Sequence, residues 1–391
     1  MNAVVETIAA PAAEPAPGTR NAAVAAHARL HHIDALRAIA ALLVLWLHVA
    51  ESYRNLSPQT AASMWVYDSA WSINVGRLGV ALFFAISGFV IPFSIRPQAP
   101  APVRDFLLRR AFRIFPLYWL SIPLGIVACH LIWGGRFTFA DLLFNLFLLQ
   151  YAFDHPPAIG LYWTLVVELL FYLACAGLLL VHSIDRYGRI ALIAGALIGL
   201  HFLSVVLQGM GRFTTFPYLI SLWFFHLGIM FWGSLFRAWW EGRLEQPFAR
   251  AAMWILLGGM TIAYPLYCAF MVHFPFNYYM PYALAIAVFA IGTTLVRITW
   301  RPLVWVGEIS YSVYLLHPVV FTSLLWALQR TAPDSWWRTR HLGLYVLVTA
   351  ASTLLLAGWT YRRVELPAIR AGRRLSQRWF GAGVRVAPHV I

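Results

Sequence analysis

Lysine is absent from this 391-residue chain, and acid is scarce: 15 Asp and Glu stand against 29 basic residues, every one of them arginine. Charged residues make up 11% of the chain and hydrophobic ones 61%. An ordinary soluble domain is about 25% charged, so this composition excludes one and makes the chain an integral membrane protein. Cysteine is nearly missing as well. Cys129, Cys175 and Cys268 lie in separate apolar runs without metal or redox spacing, which excludes a disulfide framework, points to no metal and leaves buried small hydrophobes. The net charge of +14 would suit nucleic acid, but the arginines collect in alternate short loops and in the tail, as topology signals do. No nucleic-acid partner is expected. Residues Met1 to Leu30, rich in Ala and Pro, have neither a basic start nor an apolar core segment; they read as a disordered tail rather than a cleaved signal.

What the chain does have is aromatic weight, 16% with 18 Trp, which fits belts at two membrane interfaces around a packed bundle. Apolar runs long enough to span occur at 33–50, 75–95, 112–133, 161–181, 189–208, 216–236, 251–272, 280–298, 303–328 and 341–361. The expected fold is therefore all-α, a polytopic membrane bundle of about ten transmembrane helices. Residues 31–370 form the membrane domain, 1–30 a disordered cytoplasmic tail and 371–391 a basic cytoplasmic tail. The segment 139–153 is interrupted by Asp141, Asn145 and Gln150 and reads as re-entrant or interfacial. Arginines cluster between spans two and three, four and five, six and seven, eight and nine, and after span ten, so all these loops share one side. Both termini are predicted cytoplasmic in a plasma (inner) membrane protein. No internal repeat points to an inverted-repeat transporter.

Several polar residues sit where apolar segments should not hold them. Arg37 and His48 are eleven residues apart, three helical turns plus roughly 20°, so they share a face about 16 Å apart along the axis. Asp34 lies one turn below Arg37. An ionisable group at membrane depth costs about 2.5–3.5 kcal/mol, so it marks function by default; anchoring of Asp34 and Arg37 at one interface with snorkelling of His48 is the structural alternative. Ser87 and Gly88 fall mid-membrane in the second run, where small residues also serve close helix packing. Arg109, Arg110 and Arg113 start the third run, with Arg110 and Arg113 one turn apart at a helix N-terminus suited to phosphate, or simply marking topology. Thr164, Glu168 and Tyr172 make one polar stripe, and Ser310, Tyr314 and His317 make another, followed by Pro318, which frees the Tyr314 carbonyl or merely kinks the helix. Glu365 closes the last run beside Arg362 and Arg363, neutralising them or facing inward.

In their order and spacing these residues resemble the membrane-bound acyltransferase-3 family, over about Leu30 to Arg370. The R-x10-H signature falls on Arg37 and His48, and FF-x-x-SGF on Phe83, Phe84, Ser87, Gly88 and Phe89. The R-x-x-R pair falls on Arg110 and Arg113, and W-x-L-x-x-E-x-x-FY on Trp163, Leu165, Glu168, Phe171 and Tyr172. S-Y-x-x-Y-L-x-H-P falls on Ser310, Tyr311, Tyr314, Leu315, His317 and Pro318, and E-x-P on Glu365 and Pro367. The resemblance implies an O-acyltransferase with acyl-CoA, most simply acetyl-CoA, as donor and no bound cofactor. Its acceptor would be a hydroxyl of a polysaccharide, glycolipid or related envelope molecule among membrane lipids. It implies catalytic roles for His48 (base or acyl carrier), Arg37 and Glu168, and acyl-CoA binding by Arg110 and Arg113. Support would come from Asp34, Ser87, Trp163, Tyr172, Ser310, Tyr314, His317 and Glu365. Two departures stand out. Ala81 and Leu82 precede the Phe pair where many members have an acid, so no carboxylate role is expected there. Some members add a C-terminal extracytoplasmic esterase-like domain; here transfer is expected to finish in the membrane domain or on a separate partner. A transporter or flippase of a glycolipid or small solute is the competing reading, and it predicts no dependence on CoA.

Overall fold

The computed structural model describes residues 30–210 and 218–380, which form helices joined by loops, with no strand among them. The helices are α1 (His31–Tyr53), α2 (Ala61–Ile73), α3 (Val75–Val90), α4 (Pro102–Gly125), α5 (Phe139–Leu146), α6 (Tyr162–Leu180) and α7 (Tyr187–Gly209). Then come α8 (Tyr218–Trp240), α9 (Pro247–Gly258), α10 (Phe276–Thr294), α11 (Arg301–Glu308), α12 (Ser310–Gln329), α13 (Leu342–Thr360) and α14 (Leu366–Phe380). With their continuations they supply ten helices long and apolar enough to cross a membrane. This is a multi-pass membrane bundle.

Helix α1 is its hub, packed against α3, α11, α12 and α13. Its sequence explains the place: Ala35, Ala38, Ala40 and Ala41 are fully buried, and such small side chains let neighbouring backbones come close. Glycine lets backbones meet at several positions, and the two tightest are Gly307 and Gly88. A Cβ on Gly307 of α11 would collide with the Asp34 carbonyl of α1, and one on Gly88 of α3 with the Met230 carbonyl of α8. The packing role open to Gly88 from sequence is thus the one it has. Because the obstacle is backbone, Gly88→Ala must push α3 and α8 apart; we expect a loss of about 1–3 kcal/mol, measurable as a lower melting midpoint in detergent. An unchanged midpoint would mean the two helices are not in contact there.

Two departures from the hydropathy pattern shape the site. The ninth run is two helices, because Ile309 takes φ −93°, ψ 7° and ends α11 before α12 begins. The tenth does not stop at the surface: α13 passes through a π turn, Tyr361–Glu365, into α14. Helix α14 lies along α4, with Gly372 against Phe112 and Ser376 donating to Asp105. The first ten residues assigned to the basic tail, 371–380, are therefore helical, while 1–29 and 381–391 lie outside the described residues. Helix α5, about 12 Å long, is too short to cross, in keeping with the re-entrant or interfacial reading of 139–153. Asn145, one of the polar residues that interrupted its apolar run, anchors it, donating to the Pro156 carbonyl at 2.9 Å and accepting from the Ala158 amide at 2.8 Å. Phe139 and Phe147 face outward.

Candidate active site

Periodicity and antiparallel packing place the polar stripes at one depth. Helix α4 begins at Pro102, so Arg110 and Arg113 lie in its third and fourth turns and not at its N-terminus as the apolar run suggested, and α1 carries Arg37 in its second. Ser87 comes in the last turns of α3 and Glu168 in the second turn of α6, and both meet these arginines at the cavity. The break at Ile309 starts α12 at the same level, with Ser310 and Tyr311 first. Between these five helices lies a cavity of about 100 Å³ lined by Arg37, Ser87, Arg110, Arg113 and Glu168, together with Thr164, Tyr172, Ser310, Tyr311 and Tyr314.

Two of the three arginines in the walls are ion-paired. Arg37 Nη1 is 3.6 Å from Asp34 Oδ1. Arg113 is ion-paired with Glu365, which the π turn carries inward and which also accepts from Ser312 at 2.7 Å. Tyr172 donates to Glu168 Oε1 at 2.6 Å. Arg110 differs: it donates to Ser94 Oγ and lies over the rings of Tyr172 and Phe106 at 5.5 and 5.6 Å. It has no ion-pair partner among the described residues. A guanidinium so placed, held by one hydroxyl and two aromatic faces, keeps donors for an anion.

The cavity ends at a polar contact, Thr164 Oγ1 to Tyr314 Oη, 2.9 Å, with Phe83 edge-on to Tyr314 at 5.6 Å. The histidines lie beyond it. His317, one turn on from Tyr314 with its ring 6.0 Å away, is fully buried. His48 Nδ1 is 3.0 Å from His317 Nε2, the ring planes 8° apart, and His48 also packs at 6.3 Å from Phe321. Thus His48 faces a polar partner inside the bundle, but the cavity that begins at the arginines stops short of it.

Of the residues singled out from sequence, Arg37, Ser87, Arg110, Arg113, Glu168, Tyr172, Ser310 and Tyr314 line this one cavity. Asp34 and Glu365 stand behind it as ion-pair partners, and His48 and His317 form a separate pair. Trp163 belongs to neither group; it packs 5.4 Å from His226 and 6.3 Å from Phe84. Tyr311 was legible only as a motif letter. It lines the cavity, donates to the Ile114 carbonyl at 2.9 Å and faces Arg113 at 5.8 Å. Ser94 and Ser312, which hold Arg110 and Glu365, carried no signal in the sequence.

A family profile for acyltransferase-3, described as an acyltransferase domain, matches residues 30–362. The chain belongs to the acyltransferase-3 family. It is 26% identical over 393 residues to nodulation protein 10 of Rhizobium leguminosarum bv. viciae, covering 88% of this chain and 96% of that one. It is 25% identical over 398 residues to the putative peptidoglycan O-acetyltransferase YrhL of Bacillus subtilis (strain 168), covering 90% of this chain and 58% of the relative. With the exopolysaccharide production protein ExoZ of Rhizobium meliloti (strain 1021) it shares 31% over 144 residues, 34% of this chain and 42% of the relative. The chain thus spans nearly all of the first relative and only part of the other two. No solved structure matches it. Every helix that lines the acyltransferase's cavity falls inside the matched residues; α14, which braces α4 from behind, falls outside them.

Proposed function

We propose that this acyltransferase moves an acyl group, acetyl in the simplest case, from cytoplasmic acyl-CoA to a hydroxyl of a polysaccharide, glycolipid or related envelope molecule. It would do so in the plasma (inner) membrane with both termini cytoplasmic. The observation that carries this reading is Arg110, a cationic group without an ion-pair partner among the described residues, on a cavity whose other arginines are paired. A phosphate of the donor supplies the missing anion through charge-assisted hydrogen bonds. The cavity suits the slender thioester arm and not the nucleotide, which stays at the arginine-rich mouth. The printed names of the relatives, a peptidoglycan O-acetyltransferase among them, favour acetyl and a glycan. His48 then acts as general base on the acceptor hydroxyl or as a transient acyl carrier, and the acyl group reaches it once the Thr164–Tyr314 contact parts.

The reading is tested by melting the detergent-solubilised protein with acetyl-CoA. At 100 times the dissociation constant, binding adds about 2.7 kcal/mol. Arg110→Ala removes a charged hydrogen-bond partner worth about 1.5–3 kcal/mol, so its half-maximal acetyl-CoA concentration should rise roughly 10- to 100-fold. Absence of any shift in the wild type rules out acetyl-CoA as donor, and an Arg110→Ala protein that titrates like wild type removes Arg110 from the donor site.

A further inference from the structure

The histidine pair holds more information than its distance. A backbone carbonyl only accepts, so the 3.2 Å contact from His317 Nδ1 to the Val313 carbonyl puts the His317 proton on Nδ1. In the neutral ring Nε2 is then bare, and the 3.0 Å contact to His48 Nδ1 makes His48 the donor. One tautomer of His317 fixes one tautomer of His48. We infer that His317 is a positioning residue that holds His48 in its Nδ1–H form and so leaves Nε2 as that ring's one lone pair. The surroundings keep this order. His317 is fully buried, the rings are within 8° of coplanar, and Tyr314 and Phe321 flank His317 at 6.0 and 6.1 Å. Which nitrogen of a histidine reacts is set by what the other one bonds.

This inference rests on the acyl-transfer reading for its consequence. Either role given to His48 needs an imidazole lone pair. As base, Nε2 takes the proton of the acceptor hydroxyl while its oxygen bonds to the acyl carbon. The carbon–sulfur bond breaks, and the departing thiolate takes that proton from the imidazolium. As carrier, Nε2 attacks the acyl carbon itself and the thiolate leaves; the acceptor oxygen later displaces the imidazole, its proton passing to the freed Nε2 and from there to the thiolate. An imidazole that nothing holds prefers the Nε2–H form, in which that lone pair is gone.

Two replacements in the purified full-length protein separate position from packing. His317→Leu fills the space and removes the acceptor; His317→Gln places an amide oxygen near the former Nε2 and keeps one. We expect His317→Leu to lower kcat at least about 100-fold with KM for acetyl-CoA unchanged, and His317→Gln to recover most of that loss. Nitrogen-15 spectra of histidine-labelled protein read the tautomer directly, the His48 signals being those missing from His48→Gln. They should show a bare Nε2 in the wild type and a bare Nδ1 in His317→Leu. Wild-type kcat in His317→Leu, equal losses in the folded Leu and Gln proteins, or a protonated Nε2 on neutral wild-type His48 would each overturn the inference. The spectra need no substrate. A protein with the stated tautomer that takes no acetyl from acetyl-CoA would keep the pair and lose only the donor.

Discussion

Replacing His48 with alanine should lower the rate of acyl transfer by about 10²- to 10⁴-fold, the range that a positioned acid–base group supplies. The donor's melting shift should be nearly unchanged. The two halves of this expectation come from one geometric fact: the cavity assigned to the donor is walled by Arg37, Arg110, Arg113 and Glu168 and ends at Thr164 and Tyr314. His48 stands beyond that end, on His317. Binding and chemistry are therefore separable by mutation, as they would not be were the imidazole part of the cavity wall. Alanine also leaves buried His317 Nε2 without its partner, which costs about 1–3 kcal/mol of stability, so His48→Gln, with a donor amide in reach of that nitrogen, is the cleaner companion. The measurement is transfer of labelled acetyl from acetyl-CoA by purified protein at matched folded fraction. Wild-type rates in both variants would take the first helix out of the chemistry.

Much of this arrangement was legible before any coordinates. The phase of Arg37 and His48 along one helix put both on the face that α12 covers, and the four-residue spacing of Thr164, Glu168 and Tyr172 put all three on the cavity. Such inferences succeed because helix geometry is local. What periodicity does not hold is which stripe meets which. Glu365, 252 residues from Arg113, could be read as neutralising its neighbours Arg362 and Arg363, and only the π turn through Tyr361–Glu365 turns it inward. The break at Ile309 hid in the same way, since hydropathy runs straight through Val306, Ile309 and Val313. Trp163 is a motif position outside the cavity lining, packed against His226. The division between cavity and imidazoles was beyond reach of sequence because it rests on tertiary contacts such as Thr164 with Tyr314, side chains 150 residues apart.

Breaking the Arg113–Glu365 pair from one side should cost about 3–5 kcal/mol of stability, the usual penalty for stranding a buried charge. The Glu365 side chain is fully buried and that of Arg113 22% exposed, so water screens the pair little, and Ser312 holds the second carboxylate oxygen at 2.7 Å. Glu365→Gln keeps the shape and the Ser312 contact while removing the charge, which makes it the sharper single replacement; Arg113→Met strands the acid instead. The double variant Arg113→Met with Glu365→Leu strands nothing, and exchange of a buried pair for apolar side chains is often neutral or stabilising by about 1–4 kcal/mol. Its melting midpoint should return to near that of the wild type. Its activity should not, because Arg113 also faces the cavity and takes its charge with it. A double variant that recovered both would reduce the pair to a strut between α4 and the π turn. One that recovered neither would mean that the charges themselves hold α4 in place, and that an anionic donor enters a site already balanced by its own acids.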